Sequence, residues 1–477
     1  MIRVRFAPSP TGNLHIGGVR TALFNYLFAR ARDGSFLLRI EDTDAMRSDT
    51  VYTEHIVQSL KWMGLTVDEP IVFQSRRQSE YERYFKLLEH SEAVYPCFCT
   101  PEEIQQERDL AAQAGQPYQY SRRCLKLNKE EVFRRLEDQA SCTYRFKNAK
   151  QDETIAWKDM IHGNISFPAE KLDDFIIQRS DGTFTYNYCV VIDDIEMNIT
   201  HVIRGDDHIS NTPRQLMIYQ ALDKTPPRYA HVPLILGPDR KRLSKRHGAC
   251  GILTFKEQGY LQEAMVNFCA LMGWSWDDKT TVFTMDDLLE KFSLEKVSSS
   301  PAVFDQDKLI WLNRYYLRTL SSATIFERVI PFWEKESYPW EKIDRNILKG
   351  LVDISRERTS TLDELAQTVW NLWDGPCEYE EKSLEKSRKK FLLPGILPGL
   401  ISFIQSLSKW SPDSLEKRLR SWSEEKNYKF VAVAQVLRLA LTGKLVSPPI
   451  IETACLLGKE TVLKRMHDLE DYLQSHR

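Results

Sequence analysis

No uninterrupted apolar run in the chain approaches the length needed to cross a bilayer, and the opening MIRVRFAPSP has no signal-peptide apolar region. A cytoplasmic protein with no membrane partner is therefore expected. An excess of either charge sign is also missing: 65 Lys and Arg stand against 67 Asp and Glu, a net charge of −2. That balance excludes a generally basic nucleic-acid coat and leaves any polyanion to be met by local patches. Cysteine is sparse, nine residues spread over 477, and odd in number. This argues against a disulfide framework and leaves a metal cluster as the cysteine pattern to test. Internal repeats and low-complexity tracts are absent. What is present, 42% hydrophobic and 11% aromatic residues, suffices for ordinary cores, and the length suggests about three domains.

Ile2 to Ala7 alternates as a strand does and stops at Pro8-Ser9-Pro10-Thr11-Gly12, which can neither continue a ladder nor begin a regular helix. Helical spacing begins at Gly17 with Val19, Leu23, Tyr26 and Leu27, and a strand run follows from Phe36 to Ile40. This β-loop-α-β start predicts a parallel sheet, whose ligands bind beyond the C-terminal strand ends. The Pro8 to Gly17 loop and Glu41-Asp42-Thr43-Asp44 fall there. From about residue 76 to 185 helices mix with short strands, including a hairpin around Ser180-Asp181-Gly182, which reads as an insertion. Thr100, Pro101 and Glu103 mark a capped helix start within it. Strand runs return at His201 to Arg204 and His231 to Leu236, so the sheet is split around the insertion. Beyond Tyr315 helical patterns such as Val431 to Leu441 dominate, with Pro394-Gly395 and Pro398-Gly399 as breaks. The C-terminal third should be all helix.

Two loops carry candidate chemistry. Pro8-Ser9-Pro10-Thr11-Gly12-Asn13-Leu14-His15-Ile16-Gly17-Gly18 puts His15 at the mouth of a helix whose first residues include two glycines, a setting that lets backbone N–H groups approach an anion. The loop is neither a dinucleotide fingerprint nor a P-loop, since it has no G-x-G-x-x-G and no Walker lysine. The second loop, Gly237 to Gly248, carries several cations and would be read alone as a solvated surface. Paired with His15 across a split sheet, Lys245 could neutralise the charge that grows between an α-phosphate and a departing pyrophosphate.

With these two loops the sequence resembles the class I aminoacyl-tRNA synthetases. His15-Ile16-Gly17-Gly18 stands for the HIGH signature, within the region from Pro8 through Asn13 to Gly18, and Arg242-Leu243-Ser244-Lys245-Arg246 stands for KMSKS. Within that class the likeness is to the bacterial glutamyl-tRNA synthetase family and runs the whole length. It is carried by RVRFAPSPTG, LLRIEDTD, the run from Thr185-Tyr186-Asn187 to Asp193-Asp194, HVIRGDDHISNTPRQ, LSKRHG, FDQDKLIWLN and RLALTGKLVSPP. Gly18 replaces the second His of HIGH, Arg242 the first Lys of KMSKS, and Asp206 a commoner Glu.

The resemblance implies an α/β Rossmann-like nucleotide-binding catalytic domain split over 1–75 and 186–240. It further implies an inserted α+β acceptor-end-binding domain at 76–185, followed by all-α domains: a KMSKS-loop and stem-contact domain at 241–317 and a helical anticodon-binding region at 318–477. The implied reaction is ATP-dependent, with Mg2+: glutamate becomes glutamyl-adenylate and is transferred to the 2′-hydroxyl of the terminal adenosine of tRNA(Glu), activation itself requiring bound tRNA. The enzyme is expected to act as a monomer. His15 and Lys245 would stabilise the transition state, and His15, Gly17 and Lys245 would hold ATP. Glutamate needs at least one fixed cation and one fixed anion. By resemblance Arg5, Ser9, Tyr186 and Arg204 take its carboxylates and Glu41 its ammonium. Without the resemblance, a surface salt bridge between Arg5 and Glu41 would be the plainer reading.

A glutaminyl relative would carry Asp-Asp-Thr-Asn where Glu41-Asp42-Thr43-Asp44 stands, and would have a β-barrel anticodon region. A truncated glutamyl-queuosine paralogue would lack the C-terminal third, and a non-enzymatic paralogue would have lost His15, Lys245 or Arg5. The alternative left open within the family is an enzyme that also charges tRNA(Gln).

Cys97, Cys99 and Cys124 offer three thiolates. Lys126 stands where some relatives have a ligating His, and Tyr120 fits a Tyr-x-x-x-Cys variant of the zinc ligand set. A structural Zn2+ and three buried free cysteines both remain open at this point. Lys382, Lys386, Arg388, Lys389, Lys390, Lys417, Arg418 and Arg420, with Trp410, Trp422 and Tyr428 nearby, are candidate RNA-facing groups, most of them plain solvated helix faces.

Overall fold

The computed structural model describes residues 1–43, 49–116, 118–148, 153–243, 251–376, 378–390 and 393–476. Two compact units emerge, Met1–Thr254 with Val266–Asp305, and Phe255–Met265 with Gln306–Arg477.

The first unit is built on a seven-stranded sheet. The chain enters it through β1 (Arg3–Phe6), crosses by helix α1 (Ile16–Arg30) to β2 (Ser35–Ile40), and reaches the edge at β3 (Val72–Phe73). β4 (Val94–Cys97), β5 (Thr143–Phe146) and β8 (Ile176–Gln178) form a separate three-stranded antiparallel sheet. β6 (Thr154–Asp159), β7 (Gly163–Pro168), β9 (His201–Gly205) and β10 (Arg228–Val232) complete the large sheet in the order β3-β2-β1-β9-β10-β6-β7. All its pairings are parallel except the β6–β7 hairpin.

The chain therefore leaves β1 in one direction toward β2 and β3, and later fills the other side with β9 and β10. Such a reversal opens a crevice beyond the carboxyl ends of the two central strands, here β1 and β9. The β6–β7 hairpin lies within the stretch 76–185 yet extends the large sheet rather than the small one. Val4, Phe36, Leu37, Leu38, Val202 and Ile203 are buried near-continuously, as strands covered on both faces require.

The hairpin at Ser180-Asp181-Gly182 is closed by a bridge between Gln178 and Phe184, with Gly182 at φ 84°. Thr100 caps its helix through a full capping box with Glu103, with Pro101 in the first turn. In the second unit every regular element among the described residues is helical from Gln306 onward. Pro394-Gly395 and Pro398-Gly399, expected as breaks, instead lie inside one helix, Leu393–Ser406. Pro394 falls in the first turn, where an N–H would have no intrahelical partner. Pro398 is exposed, while Ile396, Leu397, Leu400, Ile401 and Ile404 are buried on the other face and hold the helix through the lost bond. No helix among the described residues is long and apolar enough to cross a membrane.

Candidate active site at the ends of β1, β2 and β9

His15 caps α1, its Nδ1 accepting from the Gly18 N–H at 3.1 Å. That bond leaves the Nε2 proton free to point outward in the neutral ring. A Cβ at Gly17 would stand 3.1 Å from the His15 ring, and one at Gly18 only 2.6 Å from Leu14 Cδ1. The glycines thus let the ring fold back over the first turn. No carboxylate occupies that turn, so the helix N-terminus keeps its positive character for an anion.

The rest of the loop is tied down by its backbone. The Pro8 carbonyl accepts from the Glu41 N–H at 3.0 Å, the Pro10 carbonyl from the Asp49 N–H at 3.3 Å, and the Leu14 carbonyl from the Ile252 N–H at 2.8 Å. Ser9 is exposed, its carbonyl accepting from the Thr11 N–H at 2.9 Å. Asn13 is exposed as well, between the turn at Thr11-Gly12 and the buried Leu14. Its side chain packs on Gly251, where an added Cβ would stand only 2.8 Å from Asn13 Cβ. Asn13 therefore belongs to the loop as a packing contact for the chain beyond the cationic segment.

The His15 imidazolium is disfavoured first by desolvation among its neighbours and then by Arg242, so its pKa falls below the usual value. Arg242 itself reaches Asp207 at 3.2 Å, and the Leu243 N–H donates to the Ile235 carbonyl at 3.1 Å. Ser244, Lys245, Arg246 and Asp44 lie outside the described residues.

Behind this loop sits a buried charge network. Arg5, at the end of β1, donates from Nε to Asp194 Oδ1 at 3.0 Å and from Nη2 to Oδ2 at 3.4 Å. Arg39, fully buried, donates to Asp194 at 2.5 Å and to Glu41 at 3.2 Å. The surface pair Arg5 with Glu41 is thus not what forms: each has a different buried partner. Asp193 anchors the other side, receiving Arg77 Nε at 2.7 Å, Gln74 Nε2 at 2.8 Å and the Tyr81 hydroxyl at 3.0 Å.

Burial raises the pKa of Glu41 above the usual carboxylate range, against the pull of Arg39 and Arg5. For Asp194 the same burial is outweighed by Arg39 and Arg5, and its pKa falls. Asp194 thus takes hydrogen bonds from both arginines, whereas Glu41 takes one, from Arg39, and keeps acceptor capacity to spare.

Tyr186 begins the helix Tyr186–Glu196, and burial first, then Glu41, push its hydroxyl pKa up to about 12, with Arg204, Arg5 and Arg39 acting in the opposite sense. All four charged groups therefore bear on one phenol. Arg204, on β9, donates from Nε to His231 at 3.2 Å and from Nη2 to the Thr212 hydroxyl at 2.8 Å. Its Nη1 is buried with no hydrogen-bond partner among the described residues. A buried guanidinium nitrogen left in that state calls for an acceptor.

Of the residues that sequence singles out for glutamate, Arg5, Glu41, Tyr186 and Arg204 converge; Ser9 contributes an exposed loop position. Sequence reasoning misses the groups that hold them: Asp194, Arg39 and Asp193, and Asp159 with His231 behind Arg204. A signal is present in Cys189-Val190-Val191-Ile192-Asp193-Asp194, two acids closing an apolar run that must be buried.

The cysteine cluster lies apart from this crevice in the first unit. The thiols of Cys97, Cys99 and Cys124 lie within 4.8 Å of one another. The Tyr120 hydroxyl is 3.3 Å from both Cys97 Sγ and Cys99 Sγ, and the Cys99 and Cys124 sulfurs are 3.6 Å apart. Arg145 and Arg123 donate to Cys97 and Cys99 at 3.2 and 3.1 Å. Hydrogen bonding from Cys124 and then from Tyr120 and Arg145 brings the Cys97 thiol pKa below its usual value despite its burial. Three clustered sulfurs are a donor set that could hold a structural zinc, and the 3.6 Å between the Cys99 and Cys124 sulfurs is about what two sulfurs on one tetrahedral ion would show.

The sheet reversal, the histidine-capped glycine turn and the buried charge network behind it all lie in the stretch of chain that matches a class I tRNA synthetase catalytic domain. The class I tRNA synthetase (E and Q) catalytic-domain family matches residues 1–311, and the anticodon binding domain family matches residues 324–469. The chain is 44% identical over 478 residues to glutamate–tRNA ligase 2 of Caldicellulosiruptor saccharolyticus, covering 98% of both chains. It is 44% identical over 474 residues to the glutamate–tRNA ligase of Thermodesulfovibrio yellowstonii, covering 99% of this chain and 100% of that one. The crystal structure of a glutamate tRNA ligase from Elizabethkingia meningosepticum, in complex with its amino acid, matches with a TM-score of 0.89 and 32% identity over 98% of each chain. The chain belongs to the glutamate–tRNA ligase family.

Proposed function

We propose that the crevice beyond β1, β2 and β9 activates glutamate with ATP and passes it to tRNA(Glu). The observation that carries the reading is that a buried Arg204 Nη1 with no partner among the described residues and the Glu41 carboxylate bear on one phenol, Tyr186. Glutamate presents two carboxylates and one ammonium, and with Arg5 counted the two arginines and Glu41 match it in sign and number. Arg5, Ser9, Tyr186 and Arg204 take the carboxylates, and Glu41 takes the ammonium.

The α-carboxylate then attacks the α-phosphorus of Mg-ATP and pyrophosphate leaves. His15, with its outward Nε2 proton, and Lys245 carry the charge that develops on the phosphates, and Gly17 lets backbone N–H groups approach them. The 2′-hydroxyl of the terminal adenosine attacks the activated carbonyl in the second step, AMP leaves, and positioning rather than strong base catalysis does the work.

The division of labour follows the chain. Residues 1–75 and 186–240 carry the chemistry, 76–185 receives the acceptor end, 241–317 meets the stem, and 318–477 inspects the anticodon. A zinc ion held by Cys97, Cys99, Tyr120 and Cys124 would brace the acceptor-end region; when bound it supplies structural cross-linking only. The protein acts as a monomer. Aminoacylation assays with purified tRNA(Glu) and tRNA(Gln), alongside pyrophosphate exchange with and without tRNA, test the reading. Charging of tRNA(Glu), with exchange that depends on glutamate and tRNA, is the expected result. Exchange supported by another amino acid alone would overturn it, and charging of both tRNAs would identify a non-discriminating enzyme.

A further inference from the structure

Arg204 is held from behind by a relay of buried side chains that the proposed reaction does not use. His231 faces it across the β9–β10 ladder, where the two residues are in register. His231 Nε2 lies 3.2 Å from Arg204 Nε and 3.2 Å from the Thr212 hydroxyl, while its Nδ1 lies 2.6 Å from Asp159 Oδ2. Both His231 and Asp159 are at most 1% exposed.

A guanidinium Nε can only donate, so His231 must meet it with a lone pair, and the ring proton must then sit on Nδ1. Asp159 is built to enforce that choice. Its Oδ1 accepts from the Ile161 and His162 N–H groups at 3.0 Å each and from the His231 N–H at 3.3 Å. The carboxylate is thereby fixed as a pure acceptor with Oδ2 aimed at Nδ1. With Nε committed to the imidazole and Nη2 to Thr212, the bare Nη1 is the edge of Arg204 left for a ligand.

We propose that Asp159 and His231 are positioning residues for glutamate: the carboxylate selects the imidazole tautomer whose lone pair orients the Arg204 guanidinium. This rests on the reading of Arg204 as a ligand of a glutamate carboxylate. A group that only filled space or stabilised the sheet would affect folding or all kinetic constants alike. A positioning group acts on the glutamate KM alone, and it can be replaced by a side chain that offers the same acceptor.

Steady-state aminoacylation of tRNA(Glu) on the full chain, with unfolding midpoints measured alongside, tests this with four variants. His231→Leu removes the acceptor, and Asp159→Asn would present an N–H to Nδ1 and so favour the wrong tautomer. Both should raise the KM for glutamate about tenfold or more, with the KM for ATP and kcat changed by less than about threefold. His231→Gln, whose amide oxygen can accept from Arg204 Nε, should stay within about threefold of the parent for every constant. If His231→Leu fails to fold, Asp159→Asn and His231→Gln decide.

The proposal is overturned if Asp159→Asn leaves the glutamate KM unchanged or shifts the ATP KM equally. It is also overturned if His231→Gln is as impaired as the removal of the acceptor. Arg204→Gln separates the two levels: a large rise in its glutamate KM keeps the Arg204 reading whatever the other variants do. An unchanged KM in that variant removes the Arg204 reading and the relay with it.

Discussion

In the first unit Arg5, Arg39 and Arg204 lie buried against side chains; in the second, Arg465 lies as deep and spends its N–H groups on backbone. Arg465 Nη1 donates to the carbonyls of Leu372 and Leu441 at 2.7 and 3.0 Å, and its Nη2 to that of Trp373. These are among the final carbonyls of the helices Leu362–Asp374 and Phe430–Thr442, which have no intrahelical partners and a partial negative charge. Arg465 is therefore a structural cation, with both terminal nitrogens spent on the fold. Arg204 keeps one nitrogen unused, and Arg5 shares Asp194 with Arg39. Depth of burial does not tell a binding arginine from a bracing one; what its donors meet does.

The widest separation between the two kinds should come from truncation. Arg5→Ala should raise the KM for glutamate by about 100-fold or more, since it leaves buried carboxylate charge unmatched, with the ATP KM little changed. Equal rises in both constants would break the distinction. Arg465→Met should do the reverse, lowering unfolding free energy by about 3 kcal/mol by leaving helix-terminal carbonyls bare. Its glutamate KM should match the parent, which chemical denaturation and steady-state kinetics on one preparation would check.

A smaller effect follows from Glu41. Burial raises its pKa, so on acidification it takes up a proton earlier than an ordinary carboxylate and loses the charge that meets the ammonium. The kcat/KM for glutamate should fall on the acid side by up to about tenfold per pH unit below that titration, and Glu41→Gln should flatten this limb at a low value. The smallest effect belongs to the thiol cluster. Cys124→Ser should abolish bound zinc in metal analysis while leaving the glutamate KM within about threefold of the parent. A purified parent without zinc would remove the metal from the account.

Much of this is readable in residues. The strand-loop-helix start, the glycines behind His15, the capping box at Thr100 and the helical C-terminal third are local patterns, and local propensity carries them. The Pro-Gly pairs fail as breaks because the buried stripe of Ile396, Leu397, Leu400, Ile401 and Ile404 outweighs one missing bond, and that stripe counts only once something covers it. Asn13 shows the same limit within a motif: its place in the loop is plain from sequence, but its packing on Gly251 spans 238 positions and needs the folded chain. Arg5 and Glu41 are legible as charges at strand ends, but their partners are not. Asp194 lies 189 positions from Arg5, and only the order of strands brings them together.

By itself the sequence determined the chemistry on offer: a capped glycine turn, a cationic loop, three cysteines and the charges suited to glutamate, all set by residue type and short-range spacing. Tertiary structure alone decided how those charges are divided. Asp194 takes two arginines while Glu41 takes one, and Arg204 is turned by His231 and Asp159 so that one nitrogen has no partner among the described residues. The reason is that a buried charge takes its state from the few groups within hydrogen-bond reach, and in this sheet those come from strands and helices far apart in the chain.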